Sequence, residues 1–146
     1  MSLNIEQREI EGIIILDLKG PLTFGHGDGE LRDRVAALRL SGKINIVLNL
    51  KEVSDIDSTG LGTLVFGLVK LRKAGGRLAL VNVNQSHLEL FLLTKLALTF
   101  EFFGDEQDAV NSFFPDRALK PFDILDFVQH EEARVLHRGL RSEAAC

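Results

Sequence analysis

Hydrophobic and polar positions along the chain alternate between a spacing typical of strands and a spacing typical of helices. Short, branched apolar runs predict five strands, over residues 5–10, 13–19, 44–50, 77–83 and 100–103. Apolar stripes at helical spacing predict four helices, over residues 30–40, 58–74, 86–96 and 105–114. Ser86 and Asp105 are the predicted N-caps of the last two helices, since serine and aspartate are favoured there.

The order of these elements predicts an α/β fold. Strand–helix alternation predicts a mostly parallel sheet with covering helices. Glu11-Gly12 predicts a tight hairpin, so the first strand forms an antiparallel edge. We expect Gly20-Pro21 to end the second strand, residues 44–50 to form a central strand and residues 51–57 to form a polar connection.

The pattern changes after Pro115, which predicts a domain over residues 4–115 and a C-terminal helical extension over residues 116–146. Lys120-Pro121 has the composition of a linker, and residues 123–139 carry apolar positions on one helical face. We expect this helix to pack on the domain or on a second copy of the chain, which would form a homodimer.

Composition and charge exclude several classes of protein. The chain has 146 residues, 45% of them hydrophobic and 26% charged, which fits one globular domain and excludes a disordered chain. The lone cysteine, Cys146, excludes an internal disulfide and a cysteine-based zinc site. A net charge of −4 argues against direct nucleic-acid binding. Without a signal peptide or a long apolar run, we expect a cytoplasmic protein with no membrane insertion.

The densest chemical pattern is Val-Ser-Asp-Ile-Asp-Ser-Thr-Gly-Leu-Gly over residues 53–62. It places Ser58 at or near the N-terminus of a helix, where free N–H groups and the helix dipole stabilise an anion such as a phosphate. The alternative is that Ser58 or Asp57 only caps the helix. Gly60 and Gly62 each cost about 1 kcal/mol relative to alanine in a helix, and they leave room for a partner backbone.

Enzyme and metal interpretations of the same segment are weaker. Asp55-x-Asp57-x-Thr59 is similar to a phosphatase nucleophile motif, but residues 51–54 separate it from the predicted strand end. As a calcium loop it fails, because Phe66 occupies the position of the required glutamate. We therefore predict no metal, no cofactor and no enzyme activity, with an Asp55 phosphatase as the remaining enzymatic alternative.

Other notable residues have structural explanations. Four histidines lack a partner motif, and we expect solvated side chains at His26, His87, His130 and His137. Basic residues at the end of the second helix fit its negative dipole end: Lys70, Arg72, Lys73 and Arg77. Clustered aromatic residues are expected in the core: Phe100, Phe102, Phe103, Phe113 and Phe114.

Three segments together resemble the STAS domain of anti-sigma factor antagonists. They are Ile-Val-Leu-Asn-Leu over residues 46–50, Asp-Ser-Thr-Gly-Leu-Gly over residues 57–62, and Gly75-Gly76 before residues 78–83. The resemblance covers residues 4–114. It implies a four-to-five-stranded mixed sheet with helices mainly on one face.

The resemblance also implies a partner switch. Unmodified, the chain would bind an anti-sigma factor that is also a serine kinase; phosphorylation of Ser58 would release it, and a phosphatase would reset it. Two segments would carry the partner-binding residues: Asp55, Asp57, Thr59, Gly60, Leu61 and Gly62 around Ser58, with Thr23 and Phe24 in a second contact loop. Thr23 stands where many members carry aspartate. A constitutive scaffold in a signalling or lipid-transport complex is the alternative.

Overall fold

The computed structural model describes residues 2–119. These residues form five strands, which make one sheet, and four helices. The strands are β1 (Asn4–Ile10), β2 (Ile13–Leu22), β3 (Asn45–Ile56), β4 (Arg77–Val81) and β5 (Glu101–Phe103). The helices are α1 (Asp28–Leu40), α2 (Ser58–Lys73), α3 (Gln85–Leu93) and α4 (Glu106–Asn111). The predicted helix over 123–139 lies outside the described residues.

The sheet has the spatial order β1-β2-β3-β4-β5. Within residues 2–119, only the β1–β2 pair is antiparallel, and the other three pairs are parallel. Glu11 and Gly12 have φ angles of 51° and 86°, which match the turn that a two-residue hairpin requires. The predicted mixed sheet, its antiparallel edge and its central third strand are therefore confirmed.

The two faces of the sheet carry separate apolar cores, because successive side chains of a strand point to opposite faces. One face, with Ile14, Leu16 and Leu48, packs against the apolar sides of α1, α2 and α3. The other, with Ile15 and Val47, packs against Ala109 and Val110 of α4. In the described part of the chain, three helices thus cover one face and one short helix the other, which confirms helices mainly on one face.

The aromatic cluster is only partly as predicted. Phe100 is buried, and its ring meets those of Phe91 and Phe102 edge to face, with centroids 5.3 and 6.4 Å away. Phe102 is half-buried against the same core, whereas Phe103, Phe113 and Phe114 are half-buried on the α4 face.

Two strands are longer than predicted. β2 continues through Gly20-Pro21 to Leu22, and β3 continues through the predicted polar connection to Ile56. Gly20 pairs with Val53 and Leu22 with Ile56, and the register shift between these pairs accommodates the proline. The polar residues after Leu50 suggested the end of the strand. They continue it because an exposed strand end is held by backbone hydrogen bonds and does not require apolar side chains.

The cap of α3 also differs from the prediction. Asn84, and not Ser86, is the N-cap, and its side chain accepts the backbone N–H of His87 at 2.8 Å. Asparagine and serine are about equally favoured as caps, so residue type alone does not distinguish Asn84 from Ser86. The helix ends at Leu93, ahead of Lys95 with its left-handed φ of 63°. The predicted Asp105 cap of α4 is confirmed, with a 2.8 Å bond from the N–H of Asp108.

Among the described residues, no helix is both long and apolar enough to cross a membrane.

Candidate functional site

The segment singled out in the sequence joins the end of β3 to the first turn of α2. Asp57 is the N-cap, and its Oδ1 accepts the backbone N–H of Gly60 at 2.8 Å. This contact decides between the two candidate caps: Asp57 caps the helix, and Ser58 is its first residue. The serine is therefore not required to terminate the helix.

Ser58 is exposed, and within residues 2–119 no hydrogen-bond partner is found for its hydroxyl. The first turn of α2 contains no acidic residue, while Lys70, Arg72 and Lys73 occupy the last turn. A negative charge on Ser58 would lie at the positive end of this 16-residue helix. The neighbouring residue Thr59, which also carries a hydroxyl group, is half-buried.

The second predicted contact loop lies directly against this helix start. The other carboxylate oxygen of Asp57, Oδ2, accepts the backbone N–H of Phe24 at 3.0 Å. Phe24 lies in a short turn closed by two backbone hydrogen bonds between Thr23 and His26, at 2.8 and 2.9 Å. Phe24 as a whole is 75% exposed. Both segments were expected in one surface from the resemblance, but the carboxylate that joins them is not evident from the sequence.

The hydrogen bonds to Asp57 also stabilise its charge. The N–H groups of Phe24 and Gly60 donate to the carboxylate and hold the pKa of Asp57 below its ordinary value, against a smaller opposing effect of burial. At neutral pH this residue is an anion next to Ser58.

The two glycines in the first turn of α2 have different structural roles. Gly60 is buried, and a Cβ at this position would overlap the carbonyl oxygen of Leu22 at the end of β2. Gly60 is therefore needed for packing within the chain. Gly62 is exposed, and a Cβ added to it would meet no atom of residues 2–119 within 4 Å, so this glycine leaves open space there. Leu61, between them, is buried in the core.

His87 corrects a prediction. The sequence predicts a solvated side chain, but only 7% of this residue is exposed and its Nδ1 is buried without a hydrogen-bond partner among the described residues. The cap at Asn84 puts position 87 inside α3, next to buried Leu88. Burial lowers the pKa of His87, and the nearby Asp55 carboxylate opposes this only in part. His26 is exposed as predicted, whereas His130 and His137 lie outside the described residues.

The phosphatase alternative loses one objection and gains another. Because β3 runs to Ile56, Asp55 does lie at a strand end. Such a phosphatase also needs a downstream acidic pair that binds magnesium, and Asp105 and Asp108 are similar to one. They belong to the cap and first turn of α4, however, whose apolar side packs on the other face of the sheet. In the described part of the chain, no three His, Cys, Asp or Glu side chains are grouped as metal ligands.

Comparison with known proteins identifies the family. The model of the STAS domain matches residues 4–109, and the chain belongs to this family. Its relatives include the anti-sigma-B factor antagonist of Bacillus subtilis, which is 31% identical over 96 residues, or 66% of this chain and 86% of that protein. The anti-sigma F factor antagonist of Paenibacillus polymyxa is 27% identical over 110 residues, or 75% of this chain and 94% of that protein.

Solved structures agree on the fold. An anti-sigma factor antagonist from Mycobacterium paratuberculosis superimposes with a TM-score of 0.68 at 22% identity, covering 76% of this chain and 93% of that one. The Bacillus cell fate determinant SpoIIAA in its phosphorylated form gives a TM-score of 0.60 at 19% identity, covering 77% and 99%.

Proposed function

We propose that the chain is an anti-sigma factor antagonist controlled by phosphorylation. It binds an anti-sigma factor that is also a serine kinase while Ser58 is unmodified, and phosphorylation of Ser58 releases it, so that it regulates transcription indirectly. The observation that carries the proposal is the exposed Ser58 hydroxyl at the first position of α2, with the neighbouring Asp57 acting as the cap.

The division of labour between these two residues makes Ser58 suitable for modification. If the serine were the N-cap, a phosphate would disturb a contact worth about 1 kcal/mol to the helix. Since the Asp57 carboxylate caps α2, the hydroxyl of Ser58 can be phosphorylated without loss of the cap. The positive end of the helix dipole then moderates the cost of the added charge within the free protein.

The same charge weakens a docked complex. A phosphate adds about −1.5 to −2 charges. Asp55 is exposed and Asp57 is ionised beside Ser58, so the surface is already negative before modification. Repulsion within the complex and the cost of removing water from the phosphate both favour release.

The partners in this proposal provide the chemistry. The kinase supplies ATP, magnesium and the catalytic base, and a separate phosphatase resets Ser58, so the chain itself is a non-enzymatic binding protein without a cofactor. We place this switch in the cytoplasm, without direct nucleic-acid contact. A homodimer through the C-terminal helix remains a prediction.

The binding surface has two parts in this proposal. Residues that reach the surface would touch the partner: Thr23, Phe24, Asp55, Asp57, Thr59 and Gly62. Gly60 and Leu61 are buried and would contribute indirectly, by fixing the first turn of α2 against β2.

Mass spectrometry tests the assignment of the serine. The protein is incubated with ATP, Mg²⁺ and each anti-sigma-type serine kinase encoded in the same genome, as wild type, Ser58→Ala and Thr59→Ala. We expect a gain of about 80 Da in wild type and Thr59→Ala, and none in Ser58→Ala. A gain that persists in Ser58→Ala contradicts the assignment.

Two other outcomes identify the alternatives. Stable binding to a partner without any mass gain favours the constitutive scaffold. Phosphatase activity that is lost in Asp55→Asn favours the enzymatic alternative.

A further inference from the structure

Phe24 is the most exposed phenylalanine among the described residues, and hydrogen bonds fix the turn that carries it. The residue is 75% exposed, although the two backbone hydrogen bonds between Thr23 and His26 close the turn that carries it. A large apolar group held at the surface is a candidate interface anchor, because anchors of this kind contribute most when they fill a pocket of a partner.

Both sides of this turn are fixed to the rest of the fold. Before it, Leu22 lies so close to Gly60 of α2 that no Cβ fits between them. After it, Gly27 has a φ of +96°, and a Cβ there would overlap the carbonyl oxygen of Pro21. The Asp57 carboxylate adds the 3.0 Å bond to the Phe24 N–H, which joins the turn directly to the helix that begins at Ser58.

The stretches of sequence that contain the two contact segments are acidic, and the flanking cations Arg32 and Lys70 lie over the ring of Phe66 in α2. Residues 20–31 and 52–69, which form the two segments, contain no lysine or arginine. They contain five acidic residues, namely Asp28, Glu30, Glu52, Asp55 and Asp57. A surface of this kind is complementary to an apolar pocket with a basic rim.

We infer that Phe24 is the apolar anchor of the partner interface and that Asp57 is the residue that positions it. The inference rests on the proposed function. The partner has a pocket that takes a phenyl ring and is bordered by lysine or arginine side chains that face the acidic segments. Asp57 serves two segments with one carboxylate: Oδ1 caps α2 at Gly60, and Oδ2 holds Phe24.

Amide hydrogen exchange, measured by NMR on the full chain without any partner, tests the positioning role. Asp57→Ser retains a good helix cap but loses the acceptor for the Phe24 N–H, and we expect exchange at Phe24 to accelerate about tenfold. Asp55→Asn is the matched control, because it removes a nearby charge without removing a hydrogen bond to Phe24; we expect less than a twofold change. Equal rates at Phe24 in wild type and Asp57→Ser overturn the positioning role.

Kinetics of Ser58 phosphorylation by the kinase of the proposed function test the anchor. Phe24→Ala is expected to raise KM about 10- to 100-fold with kcat within twofold, since the ring contributes to docking alone. Phe24→Leu should recover much of the loss, and Asp57→Ser should raise KM less than Phe24→Ala does. The control is Leu98→Ala, because this leucine is 90% exposed but lies far from Ser58. The adjacent Thr99 carbonyl accepts a hydrogen bond from Arg72, and Arg72 is in the last turn of α2, about 20 Å along the helix from Ser58.

The outcomes separate this inference from the proposed function. If Phe24→Ala is phosphorylated with an unchanged KM, or if Leu98→Ala impairs KM as much, the anchor is wrong while the Ser58 switch stands. If no kinase binds or modifies the wild-type chain, the proposed function fails and the anchor fails with it. The exchange result at Phe24 holds in either case, because it requires no partner.

Discussion

The carboxylate of Asp57 accepts the backbone N–H of Phe24 at 3.0 Å and, through its other oxygen, that of Gly60 at 2.8 Å. One side chain therefore caps α2 and holds the turn after β2. The adjacent Ser58 needs to do neither. The geometry of a candidate phosphorylation site is thus set by its neighbour in the sequence.

This double contact predicts a graded loss of stability. Asp57→Ala removes both acceptors and should lower the free energy of unfolding in urea by about 1–2 kcal/mol. Asp57→Ser keeps the cap and should lose only a part of that. Asp55→Ala, which removes a nearby exposed carboxylate with no role as a cap, should stay within about 0.5 kcal/mol of wild type. Equal losses in Asp57→Ala and Asp55→Ala would show that the cap does not matter.

The two glycines of the first turn should respond in opposite directions to alanine. Gly60→Ala forces a methyl group against the Leu22 carbonyl and should cost about 1–3 kcal/mol or more. Gly62→Ala meets open space in a helix and should stabilise the fold by up to about 1 kcal/mol. Thermal unfolding of both variants measures this. A Gly60→Ala protein as stable as wild type would contradict the close packing of β2 on α2.

Under the proposed function, Gly62→Ala has a second effect. Its methyl group projects at the partner surface, so we expect weaker binding to the kinase in spite of higher stability. This combination separates a contact role from a folding role, since a purely structural glycine would not give both results.

The burial of His87 leads us to expect a loss of stability in mild acid. Its pKa is lowered in the folded state by burial, so between its ordinary pKa near 6.5 and the folded value the unfolded chain binds more protons. Stability therefore falls as the pH decreases below about 6.5. Urea midpoints at pH 7.5 and 5.5 should differ in wild type and differ less in His87→Gln. The matched control is His26→Gln, at an exposed position, which should keep the wild-type difference.

Two carboxyl groups refine this pH test. Asp55 favours the protonated form of His87, so Asp55→Asn should enlarge the loss between pH 7.5 and 5.5. The pKa of Asp17 is lowered by its hydrogen bond with Arg8, and its contribution to stability is lost only near and below pH 4. A wild-type midpoint that is unchanged down to pH 5 would contradict the neutral, buried state of His87.

Charge at position 58 should affect binding more than folding. Ser58→Glu places an anion at the positive end of α2 beside two aspartates, and these opposing effects should keep the unfolding free energy within about 1 kcal/mol of wild type. Binding to the kinase should fall strongly. Ser58→Gln, of the same size without charge, should bind better than Ser58→Glu in a titration. Equal losses would assign the effect to size.

Much of the fold follows from local patterns in the sequence. Branched apolar runs, turn residues such as Glu11-Gly12 and alternation of strands with helices are local signals, and they sufficed for the element order and the antiparallel edge. They failed at the ends of elements. Pro21 reads as a strand end, and Ser86 as a cap, until the pairing with β3 and the presence of Asn84 are considered.

The sequence by itself determined the family pattern, the position of Ser58 at a helix start and the acidic character of its surroundings, because these depend on residues close together in the chain. Only the tertiary structure decided that Asp57 caps the helix and holds Phe24, that Gly60 is required by the Leu22 carbonyl, and that His87 is buried. Apart from the cap itself, these contacts join segments far apart in sequence. They exist because parallel strands bring the loops after β2, β3 and β4 to the same edge of the sheet.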